Sequence, residues 1–426
     1  MKILFVCHDF PPFKLAGAQL FALKTAKELA AVGHDVRVFY PVNASALPQG
    51  DTTPLYQISQ DVYEDLPVYQ LIVNDSEPLL ARHPQYGFDQ PQVEEAFRRL
   101  IEAESFDAVH FHLLYRLSAK LPIIAKQAGL TTVATLHDYW LLCAMGHLLD
   151  TQGRECSGPE TPDKCAACLN GFTQPPAPAV VSFFTKRIAA TRAGYEAIDF
   201  KFSPSAFLAD CHAQYGFTRP EVLPLGWIPV MPAERTAPRG KRVIFGYLGQ
   251  IISRKGLDLL LDAAGQLRHT NWELRVYGEA YQPEYFAPLK QFMKQHQRIR
   301  YCGPYKPADL DRLYAGIDVA VIPSRRENYP LTVMEALSAG VPVIVTDVGG
   351  VREMVQDGVD GLIVPPHSAD AIGAAMTRFL TDETLAQTMR STIRPVKTIA
   401  VNAREYATVY ASPVLAASPA LAHGRQ

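Results

Sequence analysis

Charge of one sign is missing from this sequence. Its 426 residues carry 41 Lys plus Arg against 43 Asp plus Glu, which argues against a nucleic-acid binder that relies on a strongly basic surface and leaves only a local basic patch open. A long apolar run is missing at the start. MKILFVCHDFPP holds only Ile3 to Cys7 before His8 and Asp9, too few for a signal peptide or a membrane span, so the chain is expected to be cytoplasmic. A disulfide framework is not indicated either, because seven cysteines are an odd number spread through a long chain. After the first apolar strand, HDFPPFKLAGAQ lacks the glycine spacing of a dinucleotide fingerprint. A Ser-His-Asp arrangement is also not recognisable.

What is present is a long chain with 48% hydrophobic residues, enough for large cores and more than one core usually serves. Strand and helix signals alternate along it. KILFVCHDF reads as a buried strand, ALKTAKELAAVGH as a helix stopped by Gly33, and VRVFYPV as a second strand. The amphipathic VEEAFRRLIEAE follows, then the strands AVHFHL and TVATL, with FKFSPSAF and EVLPLGW closing the half. PVMPAERTAPRGKR, Pro229 to Arg242, has three prolines and little apolar content, as a linker should. A second alternating series runs from VIFGYLG through IDVAVIPS to PVIVTD. The expected class is α/β: two Rossmann-like doubly wound parallel-sheet domains, residues 1–230 and 231–393, facing a central cleft. An Ala/Pro-rich tail, residues 413–426, is expected to be mobile.

Glu327 and Glu335 form the most informative local pattern, eight positions apart in ENYPLTVMEAL after IDVAVIPS. The segment predicts a loop opening into a helix, with Pro330 in the first turn and both carboxylates at a ligand edge. Free N–H groups at that helix start suit phosphate. Arg254 and Lys255, after IFGYLG and its loop, form a basic pair at another helix start. This placement opposes the helix dipole and so favours an anionic ligand.

Four cysteines, Cys143, Cys156, Cys165 and Cys168, gather in a Gly/Pro/Asp-rich insertion spanning about 143–170. The last two form a CxxC able to grip a tetrahedral zinc from one turn, with His147 as a substitute ligand, whereas the first pair is irregularly spaced. A structural zinc and reduced cysteines packing a loop both stay open.

Glu-x7-Glu, LGQIISRKGLD, IDVAVIPS, DGVDGLIVPP and the N-terminal HDFPP with its glycine loop together resemble the retaining glycosyltransferases of family 4, with the GT-B fold. The resemblance covers nearly the whole chain, and TLHDYWLLC with the cysteine insertion looks like a bacterial surface-polysaccharide branch. It implies a nucleotide-diphosphate sugar as donor, no catalytic cofactor, and a sugar or lipid-linked acceptor. Carried over residue by residue, it gives Glu335 the ribose hydroxyls, Glu327 the donor sugar, and Arg254 and Lys255 the diphosphate. Asn328, Tyr329, Leu331 and Thr332 offer donors to sugar and phosphate, and Gly249 joins the donor loop. Tyr305 borders the base, Gly17 approaches the phosphate, and His137 stands beside the sugar. Asp138 and Tyr139 line the acceptor side. Ala16 and Pro330 stand where relatives carry glycine.

The resemblance also implies retention of configuration, read as a front-face substitution in which the departing phosphate oxygen takes the acceptor's proton. Two cations replace a divalent ion, so catalysis is expected to be metal independent. Residues 394–412 resemble the family's closing helix, which returns to the first domain. Lys186, Arg187 and Arg192 beside Phe183 and Phe184 give either a peripheral contact with the inner membrane face or a solvated helix face. A GT-B epimerase or phosphorylase, and a non-catalytic nucleotide-sugar sensor, remain the rival readings.

Overall fold

The computed structural model describes residues 1–14, 16–47, 52–74, 88–169, 171–172, 174–232 and 242–412. Most of the predicted linker and the whole predicted tail lie outside the described residues. The apolar run at the start becomes β1 (Lys2–Val6), which is fully buried beyond its first residue. It lies in an eight-stranded sheet with β2 (Asp35–Asn43), β3 (Ile58–Tyr63), β4 (Leu66–Val73), β5 (Ala108–Phe111), β6 (Thr131–Thr135), β7 (Phe200–Ser203) and β8 (Glu221–Val222). The order is β3-β4-β2-β1-β5-β6-β7-β8. A second, six-stranded sheet contains β9 (Val243–Leu248), β10 (Trp272–Tyr277), β11 (Ile299–Gly303), β12 (Val319–Ile322), β13 (Val343–Thr346) and β14 (Gly361–Val364). Its order is β11-β10-β9-β12-β13-β14, with every pair parallel.

One part of the first sheet departs from the expected parallel pattern. Strand β3 runs antiparallel to β4, joined by a turn in which Glu64 and Asp65 both have positive φ, 45° and 69°. Hairpin turns of that kind usually carry a glycine after Asn or Asp. Two acidic residues occupy it here, so the sequence pattern conceals the hairpin.

In each sheet the strand order reverses beside the first strand of that half, at β1/β5 and β9/β12. Ligands of open parallel sheets bind beyond the carboxyl ends of strands at such reversals. The loops leaving β1, β9 and β12 therefore set the site.

The halves are joined twice. Trp227 N donates to Lys397 O (2.9 Å) and Ile399 N to Trp227 O (3.0 Å), so the outgoing and returning chain segments lie side by side. The helix Ile399–Ala411 then packs on the helix Gly17–Ala31 and buries Ile399, Ala403, Tyr406 and Tyr410 in the core of the first half. Each of its larger apolar side chains contributes about 1.5–3 kcal/mol by leaving water. Met334, from the second half, belongs to the same core cluster.

Packing bears on two expectations. In the helix Pro178–Glu196, Arg187 and Phe184 are buried, and Arg187 lies 5.0 Å over the Trp140 ring while donating to Trp140 O. Arg192 covers Phe217 and donates to Tyr215 O. Phe184 and Arg187 thus belong to the core, whereas Lys186 and Arg192 are exposed on the same helix. Among the described residues, no helix is long and apolar enough to cross a membrane. The zinc expectation also changes. Cys143, Cys156, Cys165 and Cys168 line a largely apolar cavity of about 160 Å³, and among the described residues no group of three or more His, Cys, Asp or Glu is arranged to hold a metal ion. Cys165 and Cys168 sit on the helix Pro162–Leu169. Burial, with the neighbouring cysteines adding to it, pushes the Cys165 thiol up to about 12.

Candidate active site

Strand β9 ends at Leu248, and the chain turns through Gly249 and Gln250 into a single 3-10 turn, Ser253–Lys255. Gly256 then stands at φ 69°, and a β-carbon there would come within 2.1 Å of Pro323 O. Only glycine lets the turn pass so close to the end of β12 and open into the helix Leu257–Gly265. The loop after β12 holds this turn from the other side. Arg325 N donates to Arg254 O (2.9 Å), its guanidinium donates to Ser253 O (2.7 Å), and it meets both Asp258 oxygens at 2.8 and 2.5 Å.

The same loop delivers Glu327. Its Oε1 accepts from Lys255 Nζ at 2.5 Å and from Ser324 Oγ at 2.8 Å. Burial alone would raise this carboxyl, but Lys255 and Arg254 hold it below its ordinary value, so Glu327 is an anion. Pro330 caps the helix Leu331–Ser338, which places Glu335 in its second turn. Burial pushes Glu335 up to about 8 against the pull of Lys255, and its Oε2 is buried without a hydrogen-bond partner. An unpartnered buried carboxyl oxygen is costly unless a ligand supplies hydroxyls. Among the described residues, the Arg254 guanidinium makes no hydrogen bond or ion pair.

These groups share one cleft of about 330 Å³. His137, Gly17, Gly249, Arg254, Lys255, Tyr305, Glu327, Asn328, Tyr329, Leu331, Thr332 and Glu335 all line it, so the structure brings together every donor-side and catalytic residue named from the sequence. Two helix starts without side-chain caps, at Gly17 and Leu331, meet there. A β-carbon on Gly17 would lie 2.9 Å from Leu331 Cδ1, so glycine permits that approach despite Ala16. Tyr305 is half-buried, and burial raises its phenol.

The acceptor-side pair is placed elsewhere. Tyr139 is buried, donates to Glu327 O at 3.4 Å and lies under the Arg326 guanidinium at 5.1 Å, bracing the two halves. Asp138 accepts from Trp140 N (2.9 Å) and lines a separate cavity of about 40 Å³ beside His137. Burial pushes it up to about 6 against Arg187 and Arg254.

Sequence reasoning missed several residues. Ser324 and Arg325 read only as a strand end, yet they orient Glu327 and the Arg254–Lys255 turn. Trp227, Gln250 and Leu225 line the cleft. In the first half, His8 Nε2 lies 3.1 Å from Gln19 Nε2, and Arg116 pairs with Asp9 at 3.0 Å. His8 Nδ1, Gln19 Oε1 and Arg116 Nε are buried without partners. A half-buried Arg116 at φ 64° is visible only in the structure.

Residues 15–227 match the family model described as Glycosyltransferase Family 4, and residues 233–395 match Glycosyl transferases group 1. An exopolysaccharide phosphotransferase of Streptomyces coelicolor is 29% identical over 170 residues, 39% of this chain and 17% of that protein. A D-inositol 3-phosphate glycosyltransferase of Nocardia farcinica is 32% identical over 164 residues, 34% of this chain and 36% of that protein. The matches thus span well under two thirds of these relatives. Among solved structures, a sucrose-phosphate synthase from Thermosynechococcus elongatus superposes with TM-score 0.72 at 18% identity, covering 96% of this chain and 98% of that one. Anabaena HepE in complex with UDP-glucose gives 0.65 at 16%, covering 96% and 99%. These likenesses establish the GT-B fold.

Proposed function

Because the chain belongs to glycosyltransferase family 4, we propose that it moves a sugar from a nucleotide-diphosphate sugar to a hydroxyl acceptor, with retention of configuration and without a metal ion. The observation that carries this reading is the convergence of two cations and two carboxylates on one cleft between the halves. Arg254 and Lys255 would neutralise the diphosphate as the glycosidic bond forms and charge builds on the leaving oxygen. Glu335, its Oε2 unpartnered, would accept from the ribose hydroxyls. Glu327, held as an anion by Lys255 and Ser324, would accept from the donor sugar's hydroxyls. The departing phosphate oxygen would take the acceptor's proton, so that no separate protein base is needed.

A nucleotide-sugar donor is supported by the UDP-glucose complex of HepE and by an Arabidopsis starch synthase bound to ADP, which shares the fold at TM-score 0.60. The Streptomyces relative's name supports a role in polysaccharide or glycolipid assembly, with a sugar or lipid-linked acceptor. We read residues 1–230 as the acceptor-side domain, 231–393 as the donor domain and 394–412 as the closing segment. The test is incubation of the full chain with uridine, guanosine and adenosine diphosphate hexoses and a panel of sugar acceptors. The reading expects nucleoside diphosphate release with one donor class and a product of unchanged anomeric configuration by NMR. Tight donor binding with no release under any condition would instead favour a sensor.

A further inference from the structure

Three histidines, His110 and His112 buried and His137 half-buried, run in a row from the cleft toward the returning helix. His110 and His112 are two positions apart at the end of β5 and so leave the sheet on one face, while His137 follows β6. The rings of His110 and His112 stack at 4.2 Å, and those of His112 and His137 lie 5.4 Å apart, inclined by 22°. His112 Nδ1 is 3.1 Å from His137 Nε2. Burial lowers both rings far below their ordinary range, His137 to about 3, so the pair is neutral at physiological pH.

Two neutral imidazoles joined nitrogen to nitrogen share one proton, and only two arrangements exist. If His137 donated from Nε2, His112 would carry its own proton on its Nε2, which is buried without a partner beside the rings of Phe5 and Phe21. That arrangement strands an N–H in an apolar setting. If His112 donates from Nδ1, its Nε2 is a bare lone pair, and a stranded acceptor is the milder defect. We infer that His112 is a positioning residue that holds His137 as the Nδ1-protonated tautomer, so that the ring nitrogen left to the cleft is a hydrogen-bond donor and not a base.

The row is fixed at its far end. His110 Nδ1 lies 2.6 Å from Tyr410 Oη, and its Nε2 lies 2.9 Å from Thr135 Oγ1, which meets Tyr406 Oη at 2.8 Å. The returning helix thus locks His110, against which His112 stacks. This inference rests on the proposed placement of the donor sugar beside His137, and it deepens that reading. An Nδ1–H can donate to a sugar hydroxyl but cannot take the acceptor's proton, which leaves that proton to the departing phosphate.

Long-range proton–nitrogen correlation of the histidine-labelled full chain tests it, with the His137 signals identified by their loss in His137→Gln. The expected result is a protonated Nδ1 and a bare Nε2 on His137 in the ligand-free wild type. His112→Leu shifts His137 toward the Nε2-protonated form and lowers kcat about tenfold, the scale of one lost hydrogen bond. His112→Asn keeps an amide donor where Nδ1 stood, and restores the tautomer and most of kcat. A wild-type His137 protonated on Nε2, or an unchanged tautomer in His112→Leu, overturns the inference. Because the tautomer is read without substrate, a failure of the proposed function is seen separately, as absent nucleoside diphosphate release by the wild type.

Discussion

Lys255 has two duties at the residue scale. Its ammonium neutralises Glu327 at 2.5 Å, and when a diphosphate enters, the same charge would serve the leaving group. Lys255→Ala is expected to lower turnover about 100-fold or more. Its cost in stability is about 1–3 kcal/mol, because Glu327 keeps Ser324 and the nearby charge of Arg254. Steady-state kinetics and a melting curve separate the two effects, and near wild-type turnover would refute the assignment.

Glu335 sets a pH dependence. With its carboxyl raised to about 8 by burial, the free protein holds this proton at neutral pH, whereas ribose hydroxyls donating to it favour the anion. Binding then releases a proton. Nucleoside diphosphate affinity should therefore fall as pH drops from 8 to 6.5, by up to about tenfold per unit for one coupled proton. Glu335→Gln should flatten that slope, which calorimetry in buffers of different ionisation enthalpy would read directly. The linked stability term has the opposite sign. A carboxyl whose folded value exceeds its unfolded one loses stability as pH rises from the ordinary carboxylate range toward 8.

At the scale of elements, the turn Ser253–Lys255 depends on Gly256. Gly256→Ala introduces a left-handed non-glycine residue, about 1–2 kcal/mol, and also drives a methyl against Pro323 O. Gly33 is a control, with φ 94° and nothing within 4 Å of an added β-carbon. Both alanine variants should melt lower, but only Gly256→Ala should also lose donor affinity. Equal affinity in the two would show that the turn's position is not what binds.

Elements also show what sequence could reveal. The Glu327–Glu335 spacing, the basic pair and the strand alternation were legible because each is a local pattern tied to one loop. Glu64 and Asp65 hid a hairpin because its turn carries no glycine. The face bearing Phe184 and Arg187 looked amphipathic because a buried arginine stacked on Trp140 leaves the same letters in the sequence as an exposed one. Four cysteines in one insertion suggested a metal, but whether thiols converge depends on the packing around them. The histidine row joins residues 110, 112, 137 and 410, a separation no window of sequence spans.

At the scale of the molecule, the two halves meet through few but specific contacts. Glu353 accepts from Ala206 N (2.7 Å) and Phe207 N (3.0 Å) at the start of a first-half helix. Asn328 Nδ2 donates to His137 O at 3.0 Å. Glu353→Ala should loosen this closure. Small-angle scattering is expected to give a larger radius of gyration and kinetics a lower kcat, with nucleoside diphosphate binding to the second half largely kept. An unchanged radius and kcat would mean that closure does not rest on this contact.

The central claim is that the cleft between the sheets holds a nucleoside diphosphate through Arg254 and Lys255. The most direct measurement is the melting temperature of the wild type and of the Arg254→Ala/Lys255→Ala double variant, each with millimolar uridine, guanosine or adenosine diphosphate. A ligand present at 100 times its Kd stabilises the folded state by about 2.7 kcal/mol. The prediction is a clear upward shift with at least one nucleotide in the wild type and none in the variant. No shift with any of the three, or an equal shift in both proteins, would contradict it.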